Sequence, residues 1–221
     1  MIAANILSND LIPLRTSDSG DDALSIMSGF YVKHLPIVND KQLLGLISEE
    51  DILNQNVTED IGSFPLSLQF PYVQESDHLY EVMRLIAEFE LTVIPVVDVD
   101  QHYVGMITLQ ELLNYFAQTG SFTEPGGIIV LELPRRDYSL SEIARLVESE
   151  GAAILSSFIS SSLGPDQTMV NVTVKVNRQQ TASIVATLQR FGYEVKATFG
   201  ERDMLDGLKE RYDSLMSYLN V

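Results

Sequence analysis

Two short segments of the chain place a glycine, two apolar residues, a hydroxyl residue and an acid in the same order. The first is Gly45–Asp51, with its hydroxyl at Ser48, and the second is Gly105–Glu111, with its hydroxyl at Thr108. A strand that ends at a hydroxyl residue and turns into a helix directs that hydroxyl, and the free N–H groups of the first helical turn, away from the sheet. Such a corner can hold a phosphate or a sugar.

The same residues also have a purely structural interpretation. Ser48 with Asp51 is close to a capping box, and Thr108 with Glu111 is one, in which hydroxyl and acid satisfy backbone N–H groups at a helix start. Capping alone does not account for the preceding glycine and apolar strand, or for their repetition in a matching context. Both interpretations, a ligand site and a helix cap, therefore stay open for each copy.

The elements around the two corners repeat as well. The strand pattern Leu35–Val38 recurs as Ile94–Val97, with a period of about 60 residues. An amphipathic helix precedes each pattern; Ser19 is its predicted N-cap in the first copy, and in the second it is predicted to start near Asp77. The order of the elements predicts a tandem β–α–β–β–α unit.

A different pattern follows residues 121–127, a linker rich in glycine and turn-forming residues. Residues 128–199 alternate between strand and helix periodicity in the order β–α–β–β–α–β, with Asn177 as the predicted cap of the second helix. This order is the split, ferredoxin-like arrangement.

The last segment, residues 201–221, has the periodicity of one amphipathic helix. Its apolar residues step by three and four positions, as in the seam of a coiled coil. The seam suits either docking on its own domain or pairing between chains. It consists of Leu205, Leu208, Tyr212, Leu215 and Leu219.

Composition limits the classes of function. The net charge of −17 repels nucleic-acid backbones and anionic membrane surfaces, and the absence of cysteine excludes disulfides, cysteine metal sites and thiol catalysis. His34, His78 and His102 are scattered, and the sequence contains neither a nucleophile elbow nor a P-loop, so we expect no enzyme and no metal site. Without a spanning apolar run or a signal peptide, we expect a cytoplasmic protein.

The two copies resemble a pair of CBS domains, modules that bind adenosyl ligands. The resemblance rests on the Leu-Pro-Ile-Val and Ile-Pro-Val-Val-Asp strands, each followed by glycine, two apolar residues, Ser or Thr, two residues and an acid, and it covers roughly residues 6–118. Residues 128–199 resemble an ACT domain, a regulatory module that often binds amino acids where two copies meet. A CBS pair followed by an ACT domain resembles the acetoin-utilisation accessory proteins.

The CBS resemblance implies two adenosyl sites facing a shared cleft. In each, the hydroxyl would meet phosphate or ribose, the acid would accept ribose hydroxyls, a basic residue would contact phosphate, and the segment before the first helix would line the base pocket. Core packing is an equal alternative for Pro13 and Leu14, and Glu111 stands where the family usually has Asp. The implied first site is Ser48, Asp51, Lys33, His34, Pro13 and Leu14, and the second is Thr108, Glu111, Tyr72, Pro71 and Ile94.

Charge favours a ligand of low charge. Residues 1–120 contain four basic and eighteen acidic residues, so AMP or an adenosyl compound is favoured over free ATP. ADP is a further possible ligand, and no cofactor is obligatory. The ACT-like segment has Arg135–Leu140 where its family has a glycine that lets an amino acid approach the backbone. An amino-acid ligand is therefore less favoured there than dimerisation.

We predict a non-catalytic regulatory sensor, a homodimer that binds an adenosyl ligand and acts on an unidentified protein. The alternatives are a ligand-free dimeric scaffold and an amino-acid sensor acting through the ACT-like domain. The predicted fold class is α/β (α+β), with two CBS repeats, a ferredoxin-like domain and a C-terminal helix. The predicted boundaries are 1–60 and 61–120 for the repeats, 121–127 for the linker, 128–200 for the ACT-like domain and 201–221 for the helix.

Overall fold

The computed structural model of the chain describes residues 1–66, 70–119, 121–161 and 168–200, with five further positions between 212 and 218. The chain divides into two compact units, Met1–Phe116 and Ala117–Val221. The first contains two hydrophobic cores and the second contains one. The mixture of helices and sheets confirms the predicted α/β class.

The first unit contains two copies of one order of elements. Each copy has a short segment paired in parallel with the hairpin, then a helix, a two-stranded antiparallel hairpin and a second helix. This order confirms the predicted β–α–β–β–α repeat. The first copy comprises α1 (Gly20–Phe30), β1 (His34–Asn39), β2 (Gln42–Ser48) and α2 (Glu49–Leu53); the second comprises β3 (Val73–Gln74), α3 (Leu79–Glu88), β4 (Val93–Val97), β5 (Tyr103–Thr108) and α4 (Leu109–Thr119).

Local capping explains where the first helix of each copy begins. Ser19 Oγ accepts the N–H of Asp22 at 3.1 Å, and the Asp22 carboxylate accepts from Ser19 in return, so α1 starts as predicted. In the second copy the cap is His78, whose Nδ1 accepts the N–H of Tyr80 at 3.2 Å. The predicted start near Asp77 is therefore slightly early, because the side chain of that residue accepts a backbone N–H of the preceding turn.

A short segment leads into each copy and packs on the other one. The first leader, residues 3–8, begins with a 3₁₀ turn at Ala3–Ile6. The N–H of Ala3 donates to Asp77 O at 2.9 Å, and Ile6 is buried in the core of the second copy. The start of the chain is thus part of the second copy's core.

The second leader, residues 61–66, precedes the second copy and packs on the first. It begins with a 3₁₀ turn at Ile61–Ser63, and the N–H of Ile61 donates to Asp18 O at 2.8 Å. Phe64 is 7% exposed and packs in the core of the first copy. Because the leaders are exchanged, neither copy has a complete core without a segment that precedes the other.

The second unit is a four-stranded antiparallel sheet with two helices on one face. Its strand order is β7-β8-β6-β9, which is the ferredoxin-like order predicted from the sequence. Alternate residues of the two central strands face the helices and form the core. The elements are β6 (Gly127–Pro134), α5 (Leu140–Ser149), β7 (Ile154–Ser161), β8 (Met169–Val176), α6 (Ala182–Arg190) and β9 (Glu194–Phe199).

One cap in this unit differs from the prediction. Asn177 was expected to begin the second helix, but α6 begins at Ala182 after Thr181. The Asn177 side chain instead accepts the N–H of Ala153 at 2.8 Å, which ties the end of β8 to the turn before β7. A tertiary hydrogen bond has replaced the local one.

Most of the predicted C-terminal helix lies outside the described residues, including Leu205, Leu208 and Leu219 of the seam. The described positions there are helical and exposed. Among them, Tyr212 is 61% exposed and Leu215 is 55% exposed.

Candidate functional site

The first corner is a capped helix start. The Ser48 backbone N–H donates to Asp51 Oδ2 at 3.0 Å and its hydroxyl donates to the same oxygen at 2.6 Å. In return, Ser48 Oγ accepts the N–H of Asp51 at 3.1 Å. Asp51 is nevertheless an exposed residue. Both bonds from Ser48 go to one carboxylate oxygen, and no described residue donates a hydrogen bond to Oδ1.

The second corner reaches the same geometry with a longer acid. The N–H and hydroxyl of Thr108 both donate to Glu111 Oε2 at 3.0 Å, and Thr108 Oγ1 accepts the N–H of Glu111 at 3.1 Å. Glu111 is half-buried and, despite its extra methylene, makes the same hydrogen bonds as Asp51. The helix is therefore capped by Glu111 as well as it would be by the aspartate that the family usually has at this position.

The two corners adjoin one another through the residues that precede β1 and β4. The N–H of Lys33 donates to Thr92 Oγ1 at 2.8 Å. Lys33 O accepts the N–H of Glu49, the first residue of α2, and Thr92 O accepts the N–H of Leu109, the first residue of α4. These four residues bring together the helix starts of the two copies, as the predicted pair requires.

His34 lies at this junction and is directly opposite Ser48 in the hairpin. Its Nδ1 is 3.1 Å from Thr92 Oγ1 and accepts the N–H of Thr92 at 3.3 Å. Burial lowers the pKa of His34 below its usual value; the nearby Asp51 charge opposes this shift and Lys33 adds to it. The imidazole is therefore held in its neutral form.

The pKa of His34 makes a prediction for stability. The unfolded chain protonates this imidazole near its ordinary pKa of 6.5, whereas the folded chain resists protonation to lower pH. The free energy of unfolding should therefore fall as pH drops below about 6.5 and recover above it. Urea denaturation between pH 5.5 and 7.5 measures this slope, and His34→Gln should flatten it. An equal slope in the variant would contradict the assignment.

A crevice of about 230 Å³ opens beside the first corner. One side is formed by β2 and α2, including Asp51, and the other by the second leader, including Phe64. Exposed amides from the end of α2 lie at its rim. The crevice is lined by Leu46, Ile47, Asp51, Asn54, Gln55, Phe64, Pro65 and Leu66.

At the second corner the leader lies closer to the strand glycine than at the first. A Cβ built on Gly105 would lie 3.2 Å from Leu7 Cδ2, a side chain of the first leader. At the first corner, a Cβ on Gly45 would lie 3.9 Å from the side chain of Leu66. The first leader thus lies closer to the strand of the second copy than the second leader lies to the strand of the first copy, so the two corners are not equivalent.

The remaining predicted residues of the first site are distributed as follows. Lys33 is exposed, and its backbone forms the junction between the corners. Leu14 is fully buried in the first core and exchanges hydrogen bonds with Pro36 and Val38, while Pro13 beside it is half-buried. The segment Pro13–Leu14 therefore lies along β1. Of the six residues predicted for the first site, Asp51 alone is among those that line the crevice.

The predicted second site is similarly divided. Ile94 is fully buried, whereas Tyr72 is 41% exposed and its ring lies 6.3 Å from that of Phe70. Leu14 pairs with Ile37 and Val73 with Val96. This register makes Tyr72 the counterpart of Pro13. The two prolines of these segments, Pro13 and Pro71, are therefore displaced from one another by one residue.

The contribution of the second leader to the crevice was not predicted. Phe64, Pro65 and Leu66 were visible in the sequence only as apolar residues in a polar connector. Three consecutive apolar residues in a polar connector indicate a patch that packs against something. That signal indicated burial, but it did not indicate the partner.

One group of potential metal ligands lies at the β4–β5 turn. Ligand atoms of Asp98, Asp100 and His102 are all within 4.8 Å of one another. Asp98 Oδ1 already accepts the N–H groups of the other two residues, at 2.9 and 2.8 Å, so turn formation accounts for the cluster.

Among the helices in the described part of the chain, none combines the length and the hydropathy needed to cross a bilayer.

Comparisons with known proteins identify a family for the first of the two units. A model of the CBS domain matches residues 3–57 and 61–118, just over half of the sequence. Inosine-5'-monophosphate dehydrogenase of Methanocaldococcus jannaschii is 21% identical over 154 residues, which are 69% of this chain and 31% of that protein. The chain thus spans about a third of the length of this curated relative.

Two solved structures match about half of the chain. A CBS domain pair/ACT domain protein from Thermotoga maritima is 19% identical with a TM-score of 0.48, covering 53% of this chain and 98% of that one. CBSX2 of Arabidopsis thaliana, solved in complex with AMP, is 24% identical with a TM-score of 0.46, covering 53% and 96%. The matched residues, the repeated hairpins and the paired corners lead to one conclusion: the chain belongs to the CBS domain family.

Proposed function

We propose that the CBS pair is a non-catalytic regulatory module that binds an adenosine-containing ligand of low charge, such as AMP, at the first corner. The observation that carries the proposal is the crevice beside Asp51. A corner that served only as a helix cap would not need an open space next to its acid. The ligand would be a regulator, and no obligatory cofactor is proposed.

The crevice offers the groups that a purine riboside needs. An ionised carboxylate is a strong acceptor for the two hydroxyls of a ribose, and Asp51 Oδ1 is available for that role. Leu46 and Leu66, both half-buried, provide apolar surface for the base, while the amides of Asn54 and Gln55 can donate or accept at its edge. His34, held neutral, adds no positive charge.

The volume of the crevice restricts the size of the ligand. Binding pockets for small molecules usually measure about 300–1,000 Å³, and this crevice of about 230 Å³ is smaller. A nucleoside monophosphate would therefore have to move the second leader outward. Because that leader also fills the first core, such a movement gives the ligand a way to favour one conformation over another.

Isothermal titration with AMP, ADP and ATP tests the proposal. We expect AMP to bind most tightly and Asp51→Ala to weaken it about 10–100-fold, since hydrogen bonds to a charged group contribute about 1.5–3 kcal/mol. Asp22→Ala is the matched control, because Ser19 and Asp22 form the same capping box away from the crevice. Equal loss of affinity in both variants would mean that capping, not ligand contact, is responsible.

A ligand-free scaffold is the second candidate function. It is favoured by the hydrogen bonds that the acid of each cap already makes to its own helix start, and by the close approach of Leu7 to Gly105 at the second corner. In that case no adenosyl compound would shift the melting temperature of either unit. The ferredoxin-like unit would then have the main role in assembly, with an unidentified regulated protein as the further partner.

A further inference from the structure

One contact between the two CBS copies passes through a histidine. His34 Nδ1 receives the backbone N–H of Thr92 at 3.3 Å and lies 3.1 Å from Thr92 Oγ1. Thr92 Oγ1 accepts the N–H of Lys33 at 2.8 Å, so its own proton is left to donate to the imidazole. Because a backbone N–H can only donate, the first copy holds the second through a ring nitrogen that has to be an acceptor.

Adding a proton to this imidazole removes the acceptor. The neutral ring that carries its proton on Nε2 can accept at Nδ1, whereas the imidazolium carries a proton on both nitrogens. The N–H of Thr92 would then face a second donor, and leaving a buried donor without its acceptor costs about 1–3 kcal/mol. The contact as it stands is therefore compatible only with neutral His34.

The surroundings of His34 resist that proton. Burial lowers its pKa, the charge of Asp51 on α2 opposes the shift, and Lys33 adds to it. The neighbours that face the ring from β2 and from the second copy, Ser48 and Thr92, carry no charge. Opening the contact would expose the ring to water and return its pKa towards the ordinary value, so acid favours the open form.

We propose that protonation of His34 releases the contact between the two copies, so that acid opens the junction at Lys33 and Thr92 while both copies stay folded. The backbone carbonyls of these two residues hold the first residues of α2 and α4: Lys33 O accepts from Glu49 and Thr92 O accepts from Leu109, both at 2.9 Å. Release would therefore free both helix starts together. It depends on hydrogen bonds within the first unit and is independent of any ligand in the crevice.

Local opening of the junction differs from global unfolding in its response to urea. A local opening exposes little surface, so its free energy hardly changes in dilute urea, whereas exchange through global unfolding accelerates. With an ordinary pKa of 6.5 in the open form, the open population rises up to about tenfold for each pH unit below that value. The junction amides should thus show an opening that acid promotes and dilute urea leaves unchanged.

Native-state hydrogen exchange of the full chain at pH 7.5 and 5.5, corrected for intrinsic rates, tests the release. The Lys33 and Thr92 amides should open up to about tenfold more often at pH 5.5, with or without dilute urea. His34→Asn offers an amide oxygen as acceptor but does not titrate, so its junction should not respond to pH. His78→Asn is the matched control and should behave like the wild type. Nδ1 of His78 also accepts a backbone N–H, but at the opposite end of the helix that precedes Thr92.

Thr92→Val gives a second readout in case His34→Asn does not fold. It replaces the hydroxyl that receives the Lys33 N–H by a methyl group. The Lys33 amide should then open about 2–10-fold more often at pH 7.5, as expected for the loss of one hydrogen bond. A wild-type junction that does not respond to pH, an equal response in His34→Asn, acceleration by dilute urea, or an unchanged Lys33 amide in Thr92→Val would each overturn the proposal.

Discussion

Replacing Ile6 by alanine should destabilise the second CBS repeat, although Ile6 lies within the sequence of the first. The side chain is 7% exposed and packs with Leu79, Val82 and Ile94. Removing a buried isoleucine costs about 2–5 kcal/mol through lost burial and the cavity that remains. Native-state hydrogen exchange should show the greatest loss of protection in α3, β4 and β5, while α1 and β1 retain more of theirs.

Phe64→Ala is the reciprocal variant. It truncates the second leader, which packs in the first core, and should cost about 3–5 kcal/mol. Here the loss of protection should be greatest in α1, β1 and β2. If each substitution instead weakened the repeat that follows it in sequence, the exchange of leaders would be wrong. Urea denaturation of both variants gives the total free-energy change against which the local losses are compared.

Replacing Gly126 by alanine should destabilise the ferredoxin-like unit by about 3 kcal/mol or more. A Cβ at this position would overlap the carbonyl oxygen of Val176 on the neighbouring strand, and backbone atoms cannot move aside as a flexible side chain can. The approach of β6 to β8 would have to widen at its first pair. Circular dichroism during urea denaturation, with amide exchange of β6 and β8, measures the effect.

Gly192→Ala is the control for this substitution. Gly192 has φ +86° but nothing within 4 Å of its added Cβ, so alanine there meets backbone strain without a clash. We expect a cost of about 1 kcal/mol, the lower end for a residue held in the left-handed region. If Gly126→Ala were no worse than Gly192→Ala, the close contact with Val176 would not limit the fold.

Local patterns were sufficient to predict the elements that form the corners. The cap at Ser19 depends on residues three positions apart, and the strands ending at Ser48 and Thr108 are short apolar runs closed by a hydroxyl. The order of strands and helices in both units followed from the same periodicities. These features depend on neighbouring residues and not on distant contacts, and for that reason they can be predicted from the sequence.

The misplaced boundaries have a different origin. Asn177 has the residue type of a helix cap, yet its amide oxygen is used by Ala153, 24 positions earlier. The exchange of leaders is likewise invisible to local analysis, because Ile6 and Phe64 look alike as apolar residues in polar surroundings. Which core each fills is decided by packing between segments that are distant in the sequence.

The crevice illustrates why the candidate site was predicted only in part. Asp51 was identified from its motif, but the wall opposite it belongs to the second leader, whose position depends on the exchange. The difference between the corners is similarly tertiary, since it arises from Leu7 against Gly105 and Leu66 against Gly45. Residue types alone make the two corners look nearly alike.

The exchange of leaders has a consequence for any attempt to divide the molecule. A fragment comprising residues 61–118 would lack Ala3 and Ile6, which complete its core, and would carry Ile61 and Phe64 with no core to receive them. A fragment ending before residue 61 would have the opposite deficiency. The two pieces should therefore recombine when mixed, like the halves of a split reporter, while each alone stays incomplete.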